Sequence, residues 1–316
     1  MKKILIADSG STKTDWALVD EQGEVVMTSK TQGINPIHQQ DAAILDILCR
    51  DLVLAEQPQE VYFYGSGVTE AMKPRMRSLL QQAFPEAKVF AEGDMLGAAR
   101  ALFGDQPGIA CILGTGANSC LYDGKQIVMN TPPLGYILGD EGSGAVLGKQ
   151  FLNGIFKGSL PASLKEKYLK WSGLDYPSII NKVYREPLAN RFLASICPFI
   201  SQQLAEADKY ENGSDQLAEV MELYRMVLGC FNLFYENNLI PYINYVNVSL
   251  DDISQLDPGV KAWDGSLGGV PPVGFVGSVA HYFRSPLTLV MHDEHHLEIS
   301  QIMQAPMVGL IKYHAK

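Results

Sequence analysis

Asp8-Ser9-Gly10-Ser11-Thr12-Lys13-Thr14-Asp15 decides how this chain is read. The apolar run Lys3 to Ala7 before it reads as a short buried strand ending at Asp8, and Trp16 to Val19 after it reads as a second strand. The stretch between is therefore a strand–turn–strand bend with a carboxylate at the strand end. Glycine lets backbone N–H groups come close to an anion, and Ser and Thr hydroxyls add donors. Asp8 suits a hydrated Mg²⁺, which is held by one or two carboxylates, water and phosphate oxygens. The plainer reading is an ordinary hairpin turn. The stretch is not a P-loop, because G-x-x-x-x-G-K-[ST] finds no match, and no G-x-G-x-x-G supports a dinucleotide fold.

A second stretch, Leu113-Gly114-Thr115-Gly116-Ala117-Asn118-Ser119, follows the apolar run Ile109 to Leu113. Cys120 to Tyr122 and Gln126 to Met129 then read as strands. This repeats the opening order of strand, small-residue turn, strand, turn, strand, a little over a hundred residues later. Between the two stretches, helical patterns (Asp41 to Leu54, Pro74 to Phe84, Asp94 to about Leu102) alternate with strands (Val61 to Tyr64, Lys88 to Ala91), as in an α/β domain. Two similarly built α/β domains in tandem are expected, with a cleft between them where the paired turns grip a polyphosphate.

The remainder reads as mostly helical from Gly142 to Asn238, with Leu217 to Glu236 the clearest helix. Asn244 to Leu250 is strand-like, Asp257 to Pro272 a loop, and Val273 to Val276 a strand ending in Gly277-Ser278. Ile299 to Tyr313 is expected as a closing helix, started or kinked by Pro306.

Composition narrows the function classes. The chain has 316 residues, 47% hydrophobic and 19% charged, enough for about two packed domains. Its net charge is −10, from 25 Lys and Arg against 35 Asp and Glu. An acidic chain without a basic stripe is a poor nucleic-acid binder, so no nucleic-acid partner is expected. No helix-turn-helix segment is expected ahead of Ile4, so a DNA-binding repressor would lack its reader. No membrane span is expected: Gly265 to Phe283 is uncharged over much of its length but broken by Gly and Pro. Lys2 and Lys3 precede too short an apolar run for a signal peptide. Cys49, Cys111, Cys120, Cys197 and Cys230 form no C-x-x-C pair, and their odd number fits free thiols in a reducing cytoplasm.

Four further constellations carry chemistry. Asp94, in Glu92-Gly93-Asp94, is either a helix N-cap or a general base able to take a proton from an acceptor hydroxyl. Gly139-Asp140-Glu141-Gly142-Ser143 is a solvated bend or a polyol-binding pair of carboxylates. Gly277-Ser278 at a strand-to-helix turn is plain packing or a seat for a flat ring. His292-Asp293-Glu294-His295-His296 has ligand-type side chains but lacks the H-E-x-x-H register, and reads as a solvated segment. G-x-S-x-G and H-R-D are absent, which removes the common hydrolase and protein-kinase signatures.

Taken together and in this order, Asp8 to Thr14, Gly114 to Ser119, Gly139 to Ser143 and Gly277-Ser278 resemble the actin-like ATPase superfamily of sugar kinases, Hsp70 and actin. Within it the chain is similar to the N-acetylglucosamine kinase branch, grouped with BadF/BadG/BcrA/BcrD-type ATPases. The resemblance implies two ribonuclease H-like domains, residues 1–107 plus 299–316 and residues 108–298, with the last helix returning to the first. It implies ATP and Mg²⁺ as cofactors, with Asp8 facing the metal through water. Gly10, Ser11, Thr12 and Lys13 would form one phosphate turn and Gly114, Thr115 and Gly116 the other. Gly277 and Ser278 would sit against adenosine, Asp94 would be the base, and Asn35, Asn118 and Asp140 would bind the sugar. A small-molecule sugar is the implied partner, and a homodimer stays open. The branch can carry Trp-Gly before the Gly-Asp-Glu-Gly-Ser bend. Here the pair is Leu134-Gly135, which bears on the choice of sugar. The alternatives are an activator ATPase of the same grouping, whose iron–sulfur cluster needs convergent thiolates, and a regulatory sugar or nucleotide sensor.

Overall fold

The computed structural model describes residues 2–10, 12–247 and 270–315. The chain opens with three strands, β1 (Lys3–Ser9), β2 (Lys13–Asp20) and β3 (Val25–Gln32). Helix α1 (Asp41–Asp46) runs on into a wider helical turn, Ile47–Asp51. Then come β4 (Glu60–Gly65), α2 (Lys73–Ala83), β5 (Lys88–Gly93) and α3 (Asp94–Phe103). A second set of strands follows: β6 (Gly108–Leu113), β7 (Ala117–Tyr122) and β8 (Ile127–Met129). The helical stretch holds α4 (Gly135–Leu138), α5 (Gly144–Lys157), α6 (Ala162–Ser172), α7 (Tyr176–Tyr184), α8 (Ala189–Ala194), α9 (Cys197–Ala205), α10 (Asp215–Phe234) and α11 (Ile240–Asn247). The chain ends with β9 (Val273–Val276), α12 (Ser278–Tyr282), α13 (Arg284–Thr288), β10 (Ile299–Met303) and α14 (Met307–His314).

The strands form two five-stranded sheets, ordered β3-β2-β1-β4-β5 and β10-β9-β6-β7-β8. The chain divides into two compact units. The first comprises Met1–Ala110, Tyr122–Ile127 and Ala305–Lys316; the second comprises Cys111–Leu121 and Val128–Gln304.

In the first unit β1 pairs antiparallel with β2 and parallel with β4. It is the central strand, and its sequence shows why. A strand covered on both faces needs an unbroken apolar run, because side chains alternate between faces. Leu5 and Ala7 enter one core with Trp16, Leu18, Val61, Phe63 and the helix residues Ile44, Leu48, Met76 and Leu80. Ile4 and Ile6 enter another with Ala17, Val19, Tyr64, Ala101 of α3 and Leu310 of α14. Each fully buried Ile or Leu in these layers contributes roughly 1.5–3 kcal/mol. This alternation sets the register that ends with Asp8 on the α3 and α14 side.

Three sequence expectations are corrected. Ile299–Met303 is strand β10, parallel to β9, and only Met307–His314 is helical. The β-branched Ile299 and Ile302 suit a strand, and Pro306 caps α14 and ends the extended segment. Residues 244–247 lie in α11, not a strand; Tyr242 and Tyr245 share one buried side of that helix, a spacing of three that the strand reading overlooked. Residues 248–250 and most of the expected loop 257–272 lie outside the described residues. The small-residue turn after β6 is also shorter than expected, because Ala117, Asn118 and Ser119 already belong to β7.

Candidate active site

In the first unit, β1 delivers Asp8 to the end of the sheet, directly opposite Asp15 on β2. The turn between them closes with Gly10 N–H donating to the Lys13 carbonyl, 3.0 Å. Gly10, Thr12 and Lys13 are exposed on this turn, and Ser11 lies outside the described residues. The Lys13 ammonium pairs with Asp15, 2.6 Å, and Lys30 lies 3.6 Å from the same carboxylate. Behind the turn, the fully buried Ser9 hydroxyl accepts from Ile34 N–H at 3.0 Å and sits 2.7 Å from Thr14 Oγ1. This ties the turn to the segment holding Asn35.

Burial, then the Asp94 carboxylate, then Asp15, push the Asp8 carboxyl up to about 7, with Lys13 opposing. Asp94 is half-buried and burial raises its pKa as well. Asp94 is the first residue of α3, and Gly93 occupies the cap position. The expected N-cap reading is corrected accordingly: the Asp94 carboxylate accepts from the adjacent Met95 N–H, 2.9 Å. A carboxylate in the first turn is also favoured by the helix dipole. Carboxylates that repel one another form a place short of positive charge, which fits a divalent cation. No group of three or more His, Cys, Asp or Glu side chains suited to a metal occurs among the described residues. One Asp is enough for Mg²⁺, which keeps most of its waters and takes phosphate oxygens.

Asn35 begins a tight turn in this unit. Its carboxamide oxygen accepts from Ile37 N–H, 2.9 Å, as an Asx turn, and its side chain packs against Gly67.

In the second unit, the turn Gly114–Gly116 follows β6 and rests on the start of α5. Gly144 N–H donates to the Gly114 carbonyl at 2.8 Å and Ala145 N–H to Thr115 at 3.1 Å. Val146 N–H goes to the Ser143 hydroxyl, 3.2 Å, so Ser143 is the N-cap of α5. The first three α5 amides are therefore satisfied within the protein. The turn's own donors, Thr115 and Gly116 N–H, enter no turn or cap hydrogen bond among the described residues.

Asp140 reaches the same turn. It adopts φ 55°, and one carboxylate oxygen accepts from Ala117 N–H at 3.3 Å. A Cβ on Gly116 would meet Asp140 Oδ2 at 3.0 Å, so glycine admits the carboxylate there. Burial raises the Asp140 pKa, with Glu141 adding to it and the Ala117 N–H opposing. Asn118 stands two residues on, its carboxamide oxygen accepting from Asn130 Nδ2, 2.9 Å. Gly277 ends β9 at φ 129° against the Leu113 carbonyl, and Ser278 is exposed beside it. The second unit thus brings Gly114, Thr115, Gly116, Asn118, Asp140 and Gly277 together. The first brings Asp8 and Asp94 within electrostatic reach of each other.

Several supporting residues escaped the sequence reading. Asn237 and Asn238 donate to the Glu141 carboxylate at 3.0 and 3.3 Å. Tyr242 takes the Thr131 N–H and donates to the Ser119 carbonyl, 2.8 and 2.9 Å. Their contacts cross about a hundred residues of sequence, and no local pattern announces them. Asp15 was inside the opening stretch, and only its cross-strand place opposite Asp8 shows its effect. His292 bonds Asp293 and His295 bonds Asn232, each at 2.7 Å, so these histidines are held by local partners.

No known protein-family profile and no curated protein matches the chain. Solved structures do. A putative N-acetylglucosamine kinase from Porphyromonas gingivalis is 40% identical, with a TM-score of 0.83 over 99% of this chain and 98% of that one. A putative N-acetylglucosamine kinase from Chromobacterium violaceum is 18% identical, with a TM-score of 0.62 over 99% of both chains. A ROK family glucokinase from Streptomyces griseus, solved with glucose and AMPPNP, shares the fold at 14% identity and TM-score 0.50, covering 99% and 98%. By its identity and full-length match to the first of these, the chain belongs to the N-acetylglucosamine kinase-type family of the actin-like sugar kinase ATPases.

Proposed function

We propose that this protein is an ATP-dependent kinase that phosphorylates a hydroxyl of N-acetylglucosamine or a related hexosamine. The 40% identity to a putative N-acetylglucosamine kinase over the whole chain carries this reading. The site geometry agrees with it. Each unit ends a central strand in a small-residue turn, one beside Asp8 and one beside Asp140.

Phosphoryl transfer needs positioning and charge neutralisation more than covalent chemistry from the protein. The Thr115 and Gly116 amides, and the Gly10–Lys13 turn, supply donors for ATP phosphates. Asp8 would hold Mg²⁺, which when bound would supply neutralising charge for the phosphate oxygens. Gly277 gives the adenosine a surface without a Cβ. Asn35, Asn118 and Asp140 take sugar hydroxyls. Asp94 accepts the proton of the attacking hydroxyl while that oxygen bonds to the γ-phosphorus and the bond to ADP breaks. A carboxyl raised by burial is a better base than an ordinary one.

The activator alternative fits less well. Cys111, Cys120, Cys197 and Cys230 are buried and only Cys49 is exposed, so the chain presents few thiolates for a shared cluster. The test is phosphorus NMR of the protein with Mg-ATP and N-acetylglucosamine. A new phosphomonoester signal growing in step with ADP is expected; inorganic phosphate as the sole new product would overturn the reading.

A further inference from the structure

The Asn118 carboxamide has two orientations open to it, and its neighbours decide between them. The Ser119 backbone N–H, which can only donate, meets the Asn118 oxygen at 2.9 Å. Asn130 Nδ2, also only a donor, meets the same oxygen at 2.9 Å. Both lone pairs of that oxygen are thus taken. The Asn118 NH2 group donates to nothing among the described residues, although the residue is half-buried on β7. Turning the amide over would set NH2 against two donors and give up both bonds.

Asn130 is itself exposed, and a closed set of bonds holds it. Its second hydrogen goes to the Ser119 carbonyl. Thr131, next in the chain, gives its N–H to the Tyr242 hydroxyl at 2.8 Å and its hydroxyl to the Asn238 carbonyl at 3.3 Å. Tyr242 spends its one hydrogen on the Ser119 carbonyl at 2.9 Å. The Ser119 hydroxyl, 2.9 Å from the phenol oxygen, therefore donates to it. Tyr242 and Ser119 are fully buried. Asn237 and Asn238, on the wider helical turn Tyr235–Leu239, hold the Glu141 carboxylate next to Asp140. One stretch, residues 237–242, therefore braces both the Asn130 segment and the Asp140–Glu141 bend.

Asp140 offers the opposite polarity. One of its oxygens accepts from the N–H of Ala117, the residue before Asn118 on β7, at 3.3 Å. An ionised carboxylate can only accept, and the locked Asn118 amide can only donate. We infer that Asn130 is a positioning residue for the sugar: by fixing the Asn118 carboxamide with its NH2 group free, it makes the second unit select a hydroxyl, or a pair on adjacent carbons, that accepts from Asn118 and gives a hydrogen to Asp140. The inference rests on the reading that Asn118 and Asp140 hold the acceptor sugar. A carbonyl or ether oxygen has no hydrogen to give, so hydroxyl chemistry is what satisfies both partners.

The test is titration calorimetry of the full chain with N-acetylglucosamine, beside steady-state kinetics with Mg-ATP. Asn130→Asp keeps the shape and sets a carboxylate against the Asn118 oxygen, so the amide turns over. It is expected to weaken sugar affinity about tenfold or more, and Asn130→Ala about threefold to tenfold. KM for ATP and the melting temperature should not move. A merely structural role at this exposed position would make the isosteric Asn130→Asp the milder change. In an Asn118→Ala background, Asn130→Asp is expected to add no further loss, because it acts through Asn118. Sugar affinity kept by Asn130→Asp, a milder loss than in Asn130→Ala, or an additive loss in the double variant would overturn the inference. A parent that binds N-acetylglucosamine without phosphorylating it would overturn the kinase reading alone, since the affinities still decide the role of Asn130. A parent with no affinity for N-acetylglucosamine or any other hexosamine would overturn both.

Discussion

Gly277, just past β9, turns the side where a Cβ would stand toward the Leu113 carbonyl oxygen, where β6 runs into the Gly114 turn. Any Cβ there would overlap that oxygen, and φ 129° is a conformation that L residues rarely adopt. Gly277→Ala is therefore expected to cost about 1–3 kcal/mol in backbone strain and to displace the Gly114 turn. Thermal melting with calorimetric titration of AMPPNP checks this. A lower melting temperature with at least about tenfold weaker binding is expected; unchanged values would remove Gly277 from the nucleotide site.

Asp8 links the proposed metal site to stability. Its carboxyl is held at about 7 against an ordinary value of 3.8. Between about pH 4 and pH 7 the folded chain keeps a proton that the unfolded chain has lost, so stability falls as pH rises through this window. Asp8→Asn removes the effect. At pH 8 without Mg²⁺ the variant should be more stable than the parent, on the order of 2–4 kcal/mol. Sugar-dependent turnover should fall in the same variant. Denaturant melts from pH 4 to 8 decide; parallel pH profiles for parent and variant would contradict the burial of this charge.

His314 carries the opposite sign. Burial, then Arg100, depress its imidazole to about 4 from 6.5. Between about pH 4 and 6.5 the unfolded chain binds the extra proton, so stability rises with pH through this window and is lost on acidification. His314→Gln should flatten that acid limb, by roughly 2–3 kcal/mol between pH 6.5 and 4, at the cost of some ring packing at all pH values. An acid limb as steep in the variant as in the parent would assign it to other groups.

These groups also mark what could and could not be read from the sequence. The alternation of Ile4, Leu5, Ile6 and Ala7 gave β1 its place between two cores, because a doubly covered strand has a distinctive apolar run. Both small-residue turns and the position of Asp94 at a helix start were legible for the same local reasons. The length of the second turn was not, because Asn118 and Ser119 look like turn residues and only pairing puts them in β7. Ile299–Met303 looked helical because five residues are too few for periodicity to separate strand from helix. The Glu141–Asn237–Asn238 and Arg100–Tyr64–His314 contacts are long-range, and nothing in their immediate sequence foretells them.

Asp94→Asn separates chemistry from binding. The amide keeps the shape and loses the basicity, so turnover should drop about 10²- to 10⁴-fold. AMPPNP affinity should change little, because the donors assigned to the phosphates lie in the turns. Single-turnover kinetics beside calorimetry distinguish these effects. Full turnover by the variant would reduce Asp94 to a first-turn charge on α3.

The central claim is met most directly by a coupled ADP-release assay with Mg-ATP across a panel of hexoses, hexosamines and N-acetylhexosamines. N-acetylglucosamine or a close hexosamine is expected to raise ADP production at least about tenfold above the sugar-free rate, with one sugar phosphate formed per ADP. A rate that no sugar changes would contradict the assignment of this protein as a hexosamine kinase.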